Sequence, residues 1–194
     1  MSRIGAYGVL VLVLVGAGCS RGSPNSLRET PSDAGAPLDV ETMAFLSMAR
    51  ALHHEANVLE ESGDLRGAAT RVERIVQAPA PRVGTAPEIE EVLADAWARL
   101  AELDVRLGDP TKAEEAARTG LLHARAPTYF RGHLLEVQGI AEEARSTNLA
   151  DAGDAAGAAK ARSSAMRLLE EAVIVQEEVI GRALDGGSDA EGER

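Results

Sequence analysis

Apolar and polar residues follow one another along most of this chain with the three-and-four spacing of an amphipathic α-helix. The clearest apolar stripe passes through Phe45, Leu52 and Leu59. It predicts a first helix from about 39 to 62. Asp39 caps the start of this helix, because its carboxylate can accept the backbone N–H groups of the first turn.

The same periodicity predicts five further helices. They span about 65 to 78, 85 to 107, 110 to 124, 128 to 151 and 155 to 184. Thr85 and Glu88 have the spacing of a capping box at the start of the third helix. Gly108, Asp109 and Pro110 supply a stop, an N-cap and a first turn between the third and fourth helices. Six helices in three antiparallel pairs predict an all-α fold.

The dipeptide Gly-Asp recurs at the joint of each predicted pair, with its glycine at residues 63, 108 and 153, which are 45 residues apart. An alanine lies five residues after each glycine. In the first two pairs an alanine lies seven residues before the glycine, and a large apolar residue lies eleven before it. These residues are Ala68, Ala113 and Ala158, then Ala56 and Ala101, then Leu52 and Trp97.

This arrangement resembles the tetratricopeptide repeat, in which an aromatic residue or Leu opens helix A, Gly-Asp makes the turn, and a small residue lets helix B pack close. The segment from Trp97 to Pro127 matches best, and the third pair departs from the pattern at Glu142 and Ser146. The spacing of 45 exceeds the roughly 34 residues of the family. The resemblance implies antiparallel hairpins stacked as a short α-solenoid. A plain helical bundle with Gly-Asp joints is the alternative.

In tetratricopeptide domains the A helices line a concave groove that holds a partner segment. Carried over residue by residue, the resemblance places eight residues on that face: Arg50, His53, Asn57, Glu60, Asp95, Ala98, Glu102 and Val105. His53 and Asn57 are similar to the basic-plus-Asn clamp that some members use for a C-terminal carboxylate, whereas Asp95 and Glu102 would repel an anion. A partner segment of mixed or basic charge is the better interpretation, and a purely solvated face is the alternative.

The N-terminus has one positive charge, at Arg3, and then an apolar run that is too short for a membrane span of about 20 residues. It ends in VGAGC, residues 15 to 19, which resembles the lipobox of bacterial lipoproteins. The resemblance implies cleavage before Cys19 and lipid anchoring through that cysteine. Ser20 after the cysteine is associated with the outer membrane, facing the periplasm, if the source is Gram-negative. A buried thiol, a free thiol and an ordinary secretory signal remain alternatives for Cys19.

These features divide the chain of 194 residues into four parts. They are a signal peptide at 1–18, a lipidated cysteine with a flexible tether at 19–37, the helical repeat domain at 38–184 and an acidic tail at 185–194 that we expect to be disordered. The net charge of −11 argues against nucleic acid as a partner. The single cysteine excludes a disulfide within the chain.

No catalytic motif is visible in the sequence. His53, His54 and Glu55 are consecutive, so on a helix the two imidazoles point about 100° apart and cannot both reach one metal ion. No HExxH spacing, phosphate loop or nucleophile elbow occurs. We therefore expect no enzyme activity, no cofactor and no metal site.

What remains is a surface for another molecule. The sequence favours a membrane-anchored adaptor or assembly factor for a cell-envelope complex, with a partner protein that it does not identify. A binding protein for a small ligand or a cell-wall fragment is the alternative, and the presence of only five aromatic residues argues against it. The apolar stripe of the sixth helix either caps the open end of the array, which is the simpler interpretation, or contacts another protein.

Overall fold

Six α-helices and no strand make up the residues that the computed structural model describes, 39–79, 81 and 86–188. The helices are α1 (Val40–Glu61), α2 (Leu65–Val76), α3 (Pro87–Arg106), α4 (Pro110–Gly120), α5 (Tyr129–Asp151) and α6 (Ala155–Ser188). The predicted all-α class is confirmed. The predicted signal peptide, Cys19, the tether and the last six residues lie outside the described part of the chain.

Most helix ends lie close to their predicted positions. Asp39 caps α1, because its Oδ1 accepts the Thr42 N–H at 2.9 Å, and this bond is the main reason that the pKa of Asp39 is lowered. The start of α3 differs from the prediction: Ala86 occupies the N-cap position without a side-chain cap, and Thr85 lies outside the described residues. The last helix continues to Ser188, past the predicted end at 184.

All three Gly-Asp joints adopt the same backbone. The glycines have φ of +83°, +82° and +83°, in the left-handed region that side chains with a Cβ disfavour. The N–H of each aspartate donates to the carbonyl five residues before it: Asp64 to Leu59 at 2.8 Å, Asp109 to Asp104 at 2.9 Å and Asp154 to Leu149 at 2.9 Å. This is the Schellman pattern that ends a helix. The third pair therefore turns as the first two do.

Each aspartate also starts the next helix. Its carboxylate accepts the backbone N–H three residues on: Gly67 at 2.8 Å, Lys112 at 3.1 Å and Gly157 at 2.8 Å. One dipeptide thus satisfies orphan carbonyls of one helix and orphan N–H groups of the next.

Small residues bring the two helices of each hairpin together. The alanines five residues after each glycine, Ala68, Ala113 and Ala158, are all buried. Ala56 and Ala101 are buried on the facing helices, and in the third pair Ser146 takes this position. Its hydroxyl donates to the Ala158 carbonyl oxygen at 2.8 Å. The departure from alanine in the third pair is therefore compensated by a hydrogen bond.

The hairpins stack so that the odd-numbered helices form one layer. Within the described residues α3 packs against both α1 and α5, whereas α2, α4 and α6 pack against odd-numbered helices but not against one another. The core between the layers includes Val72, Ile75, Leu103 and Val137, which are almost fully buried. Because the odd helices meet and the even helices stand apart, the layer of α1, α3 and α5 presents the concave side.

None of the helices in the described ranges is long and apolar enough to cross a membrane.

Candidate protein-binding face

The concave layer contains an open cavity of about 440 Å³, which we call the inner groove. Seven residues from three helices line it: Asn57, Glu60 and Glu61 of α1, Asp95, Arg99 and Glu102 of α3, and His133 of α5. Every one of these side chains is polar. The groove therefore differs in composition from the apolar core between the two layers.

Helical periodicity explains why polar residues meet in the inner groove. On α1, His53, Asn57 and Glu60 have a spacing of four and three residues, which places them on one face. On α3, Asp95, Arg99 and Glu102 repeat that spacing. Apolar residues of both helices occupy the opposite side and pack in the core. The two polar stripes then face one another across the α1–α3 contact.

Arg99 is the central cation of the inner groove. Its Nη2 donates to Asn57 Oδ1 at 2.6 Å and to Glu60 Oε1 at 2.5 Å, and its Nε donates to the same Glu60 oxygen at 3.2 Å. Its Nη1 donates to the His53 carbonyl oxygen at 3.3 Å and lies 3.2 Å from His53 Nδ1. One guanidinium thus fastens three consecutive inner-face residues of α1 to α3.

The neutral form of His53 fits this arrangement. Burial lowers the pKa of its imidazole, the nearby Asp95 carboxylate opposes this effect, and the Arg99 charge reinforces it. Since Arg99 is a donor, we assign Nδ1 as the acceptor and place the imidazole proton on Nε2. That nitrogen is buried and has no hydrogen-bond partner within range, because Asp95 Oδ2 lies 3.6 Å away.

The carboxyl group of Glu60 is held in its ionised form by two arginines. Burial raises the pKa of its carboxyl group, but the hydrogen bonds from Arg99 and Arg106 outweigh burial, so that the pKa is lowered overall. Arg106 Nη1 reaches the second oxygen, Glu60 Oε2, at 2.5 Å. Both carboxylate oxygens of Glu60 therefore accept hydrogen bonds from arginines of the same chain.

Other acids of the inner groove remain open to solvent. Asp95 and Glu102 have side chains that are 47% and 45% exposed, and Glu61 is also exposed. Partial burial raises the pKa of Glu102, an effect that His133 opposes and Glu60 reinforces. His133 Nε2 lies 3.4 Å from Glu102 Oε1. In the part of the chain that the structure describes, none of these three carboxyl groups forms an ion pair with an arginine or lysine, although the nearby Arg99 charge acts to lower the pKa of Glu102.

The eight residues that the sequence placed on the face divide into two groups. Asn57, Glu60, Asp95 and Glu102 line the inner groove, and His53 lies next to it beneath Arg99. The other three do not line it: Arg50, Ala98 and Val105. Ala98 is only 1% exposed and packs with Leu134 in the core, and Val105 packs against the main core cluster. Positions counted from the turn glycine therefore mark the inner face only approximately when they are carried from one hairpin to the next.

The predicted resemblance of His53 and Asn57 to a carboxylate clamp is not supported. Arg99 occupies Asn57 Oδ1 and His53 Nδ1, and the pKa of the His53 imidazole is lowered, so His53 does not offer a positive charge. The open acids Asp95 and Glu102 add repulsion toward an anion. A C-terminal carboxylate would meet unfavourable electrostatics here.

Sequence reasoning missed Arg99, Glu61 and His133 as groove residues. Arg99 follows Asp95 by four residues, so the helical face identified by Asp95 and Glu102 includes it. His133 gave no comparable signal, because its place depends on how α5 packs against α3. The His133 ring also stacks on Tyr129, with centroids 5.9 Å apart.

Within the described ranges, no three or more His, Cys, Asp or Glu side chains come together in a way that could hold a metal ion.

Comparison with known proteins gives one similar structure. No protein-family model matches the chain, and no curated protein matches it. The globular C-terminal domain of P. aeruginosa LpoP is similar at 30% sequence identity, over 67% of this chain and 99% of that domain, with a TM-score of 0.39. At that TM-score the two folds do not superpose closely as wholes.

Proposed function

We propose that this chain is a lipid-anchored, tetratricopeptide-like adaptor or assembly factor for a cell-envelope complex, and that its inner groove binds a basic segment of a partner protein. One observation carries the proposal. The groove crosses three helices and presents solvent-exposed acids, while its central cation is consumed by contacts within the protein.

The charge of the inner groove favours Lys and Arg in the partner. The Arg99 guanidinium donates its hydrogen bonds to residues of α1, and Arg106 donates to Glu60. Glu61, Asp95 and Glu102 are left to face the cavity. Each exposed ion pair contributes only about 0.2–1 kcal/mol. We therefore expect complementary charge to control association rate and partner choice more than affinity, and we expect binding to weaken with salt.

The shape and polarity of the inner groove favour a polypeptide over a small ligand. Small-molecule sites are concave and mostly apolar, with a few polar groups that orient the ligand. This groove is open, and its seven lining residues are all polar and include no Phe, Tyr or Trp. A side chain such as Lys or Arg can extend its charged end to these acids without burying an apolar body.

The anchor part of the proposal rests on the sequence VGAGC and the polar segment that follows it. Several acyl chains on Cys19 would hold the domain stably at a membrane, since each buried CH₂ contributes about 0.8 kcal/mol. Replacing Cys19 by Ser should release the protein from the membrane fraction. A Cys19→Ser protein that stays membrane-bound would contradict the anchor.

A crosslinked pull-down from the protein's own membranes tests the adaptor function. The wild-type chain should recover a partner protein, and Asp95→Asn with Glu102→Gln should lose most of it, because the variant keeps the shape of the groove and removes two charges. Glu115→Gln with Asp151→Asn, two exposed acids outside the groove, is the matched control. Recovery of no protein above background would favour the small-ligand alternative.

A further inference from the structure

The solvent side of α6 carries a long apolar stripe. Met166, Val173, Ile180 and Leu184 are 55%, 51%, 58% and 71% exposed, and Leu169 is half-buried beside them. The stripe runs along one face, since these residues follow three- and four-residue spacing or multiples of it. A concave patch of about 490 Å³ lies at Met166, Leu169 and Val173. Isolated exposed apolar residues are common, but an aligned row of this length, interrupted by Glu177 between Val173 and Ile180, indicates a contact surface.

Equivalent positions in the other two hairpins show what normally covers this surface. Met166 lies thirteen residues after its turn glycine, as Val76 and Leu121 do after theirs. Val76 packs into the core cluster that includes residues of α3, and Leu121 packs with Leu134 and Leu135 of α5. In the first hairpin this position thus packs into the core that α3 shares, and in the second it packs against residues of α5. No helix covers Met166 within the described residues.

A second copy of α6 has the charges and sizes that this surface requires. Nine residues lie on the stripe, each three or four residues after the one before it. They are Ala155, Ala159, Arg162, Met166, Leu169, Val173, Glu177, Ile180 and Leu184. Arg162 and Glu177 are the charged members. They lie at equal distances on either side of the midpoint between Leu169 and Glu170.

Two copies of α6 that run antiparallel about that midpoint complement each other. Arg162 of each copy faces Glu177 of the other, so two opposite-charge pairs form. Met166 faces Val173, and the large residues Ile180 and Leu184 face the small residues Ala159 and Ala155. We propose that the chain forms a two-fold dimer through antiparallel pairing of α6. Such a contact uses the same patch on both copies and closes on itself.

Two further features bear on this pairing. The exposed side of α1 is mixed in character, because it carries Met43 and Val58 beside Ser47, Arg50 and His54, so it matches the apolar stripe of α6 less well than a second α6 does. Glu170 faces Glu170 of the second copy at the solvent edge of the dimer, where solvent weakens the repulsion but does not remove it. Glu170→Gln should therefore strengthen the dimer slightly.

Disulfide trapping in membranes from cells that make the full chain tests the dimer. Glu170→Cys lies next to the two-fold axis, so its Cβ should come within disulfide range of its own counterpart. We expect oxidation to give a covalent dimer. Lys160→Cys, exposed on α6 but off the stripe, should give little, and the wild-type chain measures any contribution from Cys19.

Charge reversal makes the test specific to self-pairing. In the Glu170→Cys background, Arg162→Glu alone or Glu177→Arg alone should reduce trapping several-fold, since each turns two attractions into two repulsions. The two reversals together should restore it. Equal trapping at Lys160→Cys and Glu170→Cys, or failure of the double reversal to restore trapping, would overturn the dimer.

Discussion

Arg99 donates two hydrogen bonds to a single oxygen of Glu60, from Nε at 3.2 Å and from Nη2 at 2.5 Å. Both side chains are largely buried, at 18% and 21% exposure. The first hairpin packs on α3 mainly through α2, and the direct contact of α1 with α3 is small, so this pair is a principal polar link between α1 and α3. Glu60 also neutralises the positive charge of Arg99, so the surrounding acids make the electrostatic potential of the inner groove negative.

Arg99→Gln should lower the free energy of unfolding by about 1–3 kcal/mol, because it leaves the largely buried Glu60 carboxylate with fewer donors. Arg99→Lys should recover only part of the loss, since one ammonium group cannot replace the planar fork of donors. Urea unfolding measures both variants. Arg118→Gln, which removes an exposed helix-surface pair with Glu114, should cost about 0.5 kcal/mol or less. Equal midpoints for Arg99→Gln and Arg118→Gln would contradict the link.

Gly108→Ala should destabilise the protein by roughly 1–2 kcal/mol, because φ at this position is +82° and a Cβ disfavours that conformation. No atom lies near the site of the new Cβ, so the cost is one of backbone conformation. Gly181→Ala on α6 also meets open space, but in a helical backbone. It should stabilise by roughly 0.5–1 kcal/mol. Thermal unfolding of the pair checks the opposite signs, and a neutral Gly108→Ala would show that the turn does not need glycine.

The sequence predicted structural features correctly where neighbouring residues alone determine them. Gly63, Gly108 and Gly153 each end a helix within one turn, so pattern and backbone agree at all three joints. Arg99 lies on the helical face that Asp95 and Glu102 mark, but its contacts could not be predicted because its partners lie about forty residues away on another helix. Ala98 was misplaced for the same reason, since the packing of α3 against α5 decides which residues face the groove.

Stability should also show a pH dependence from Asp104. Burial raises the pKa of this carboxyl group from 3.8 to about 6, partly offset by Lys112. The folded state then binds more protons than the unfolded state between those values, so this group's contribution to stability falls as pH rises through that window. Asp104→Asn should therefore be more stable than wild type at about pH 7.5 and similar at about pH 4.

Chemical unfolding at both pH values measures the difference for Asp104→Asn. Glu88→Gln, an exposed acid on the same helix, controls for the loss of one negative charge. A stability gain that is equal at both pH values would be inconsistent with a raised pKa at Asp104.

Ser146→Ala should cost about 0.5–1.5 kcal/mol, because it removes the buried hydrogen bond to the Ala158 carbonyl oxygen. The neighbouring Thr147 donates to the Glu143 carbonyl oxygen on the exposed side of α5. Thr147→Ala should be neutral or slightly stabilising, since alanine is the better helix former. Urea midpoints for the two variants distinguish them. A Ser146→Ala variant as stable as Thr147→Ala would show that the hydroxyl does not hold the third hairpin together.

Photo-crosslinking from the inner groove in intact cells tests the adaptor function most directly. Glu61 is exposed and lines the groove, whereas Glu115 is exposed on α4 in the outer layer. A photoreactive amino acid at position 61 should capture a protein through a segment rich in Lys or Arg, and Asp95→Lys with Glu102→Lys should abolish the adduct. The same probe at position 115 should not give it. An adduct that survives the charge reversal, or that forms equally at position 115, would contradict an acidic groove as the binding site.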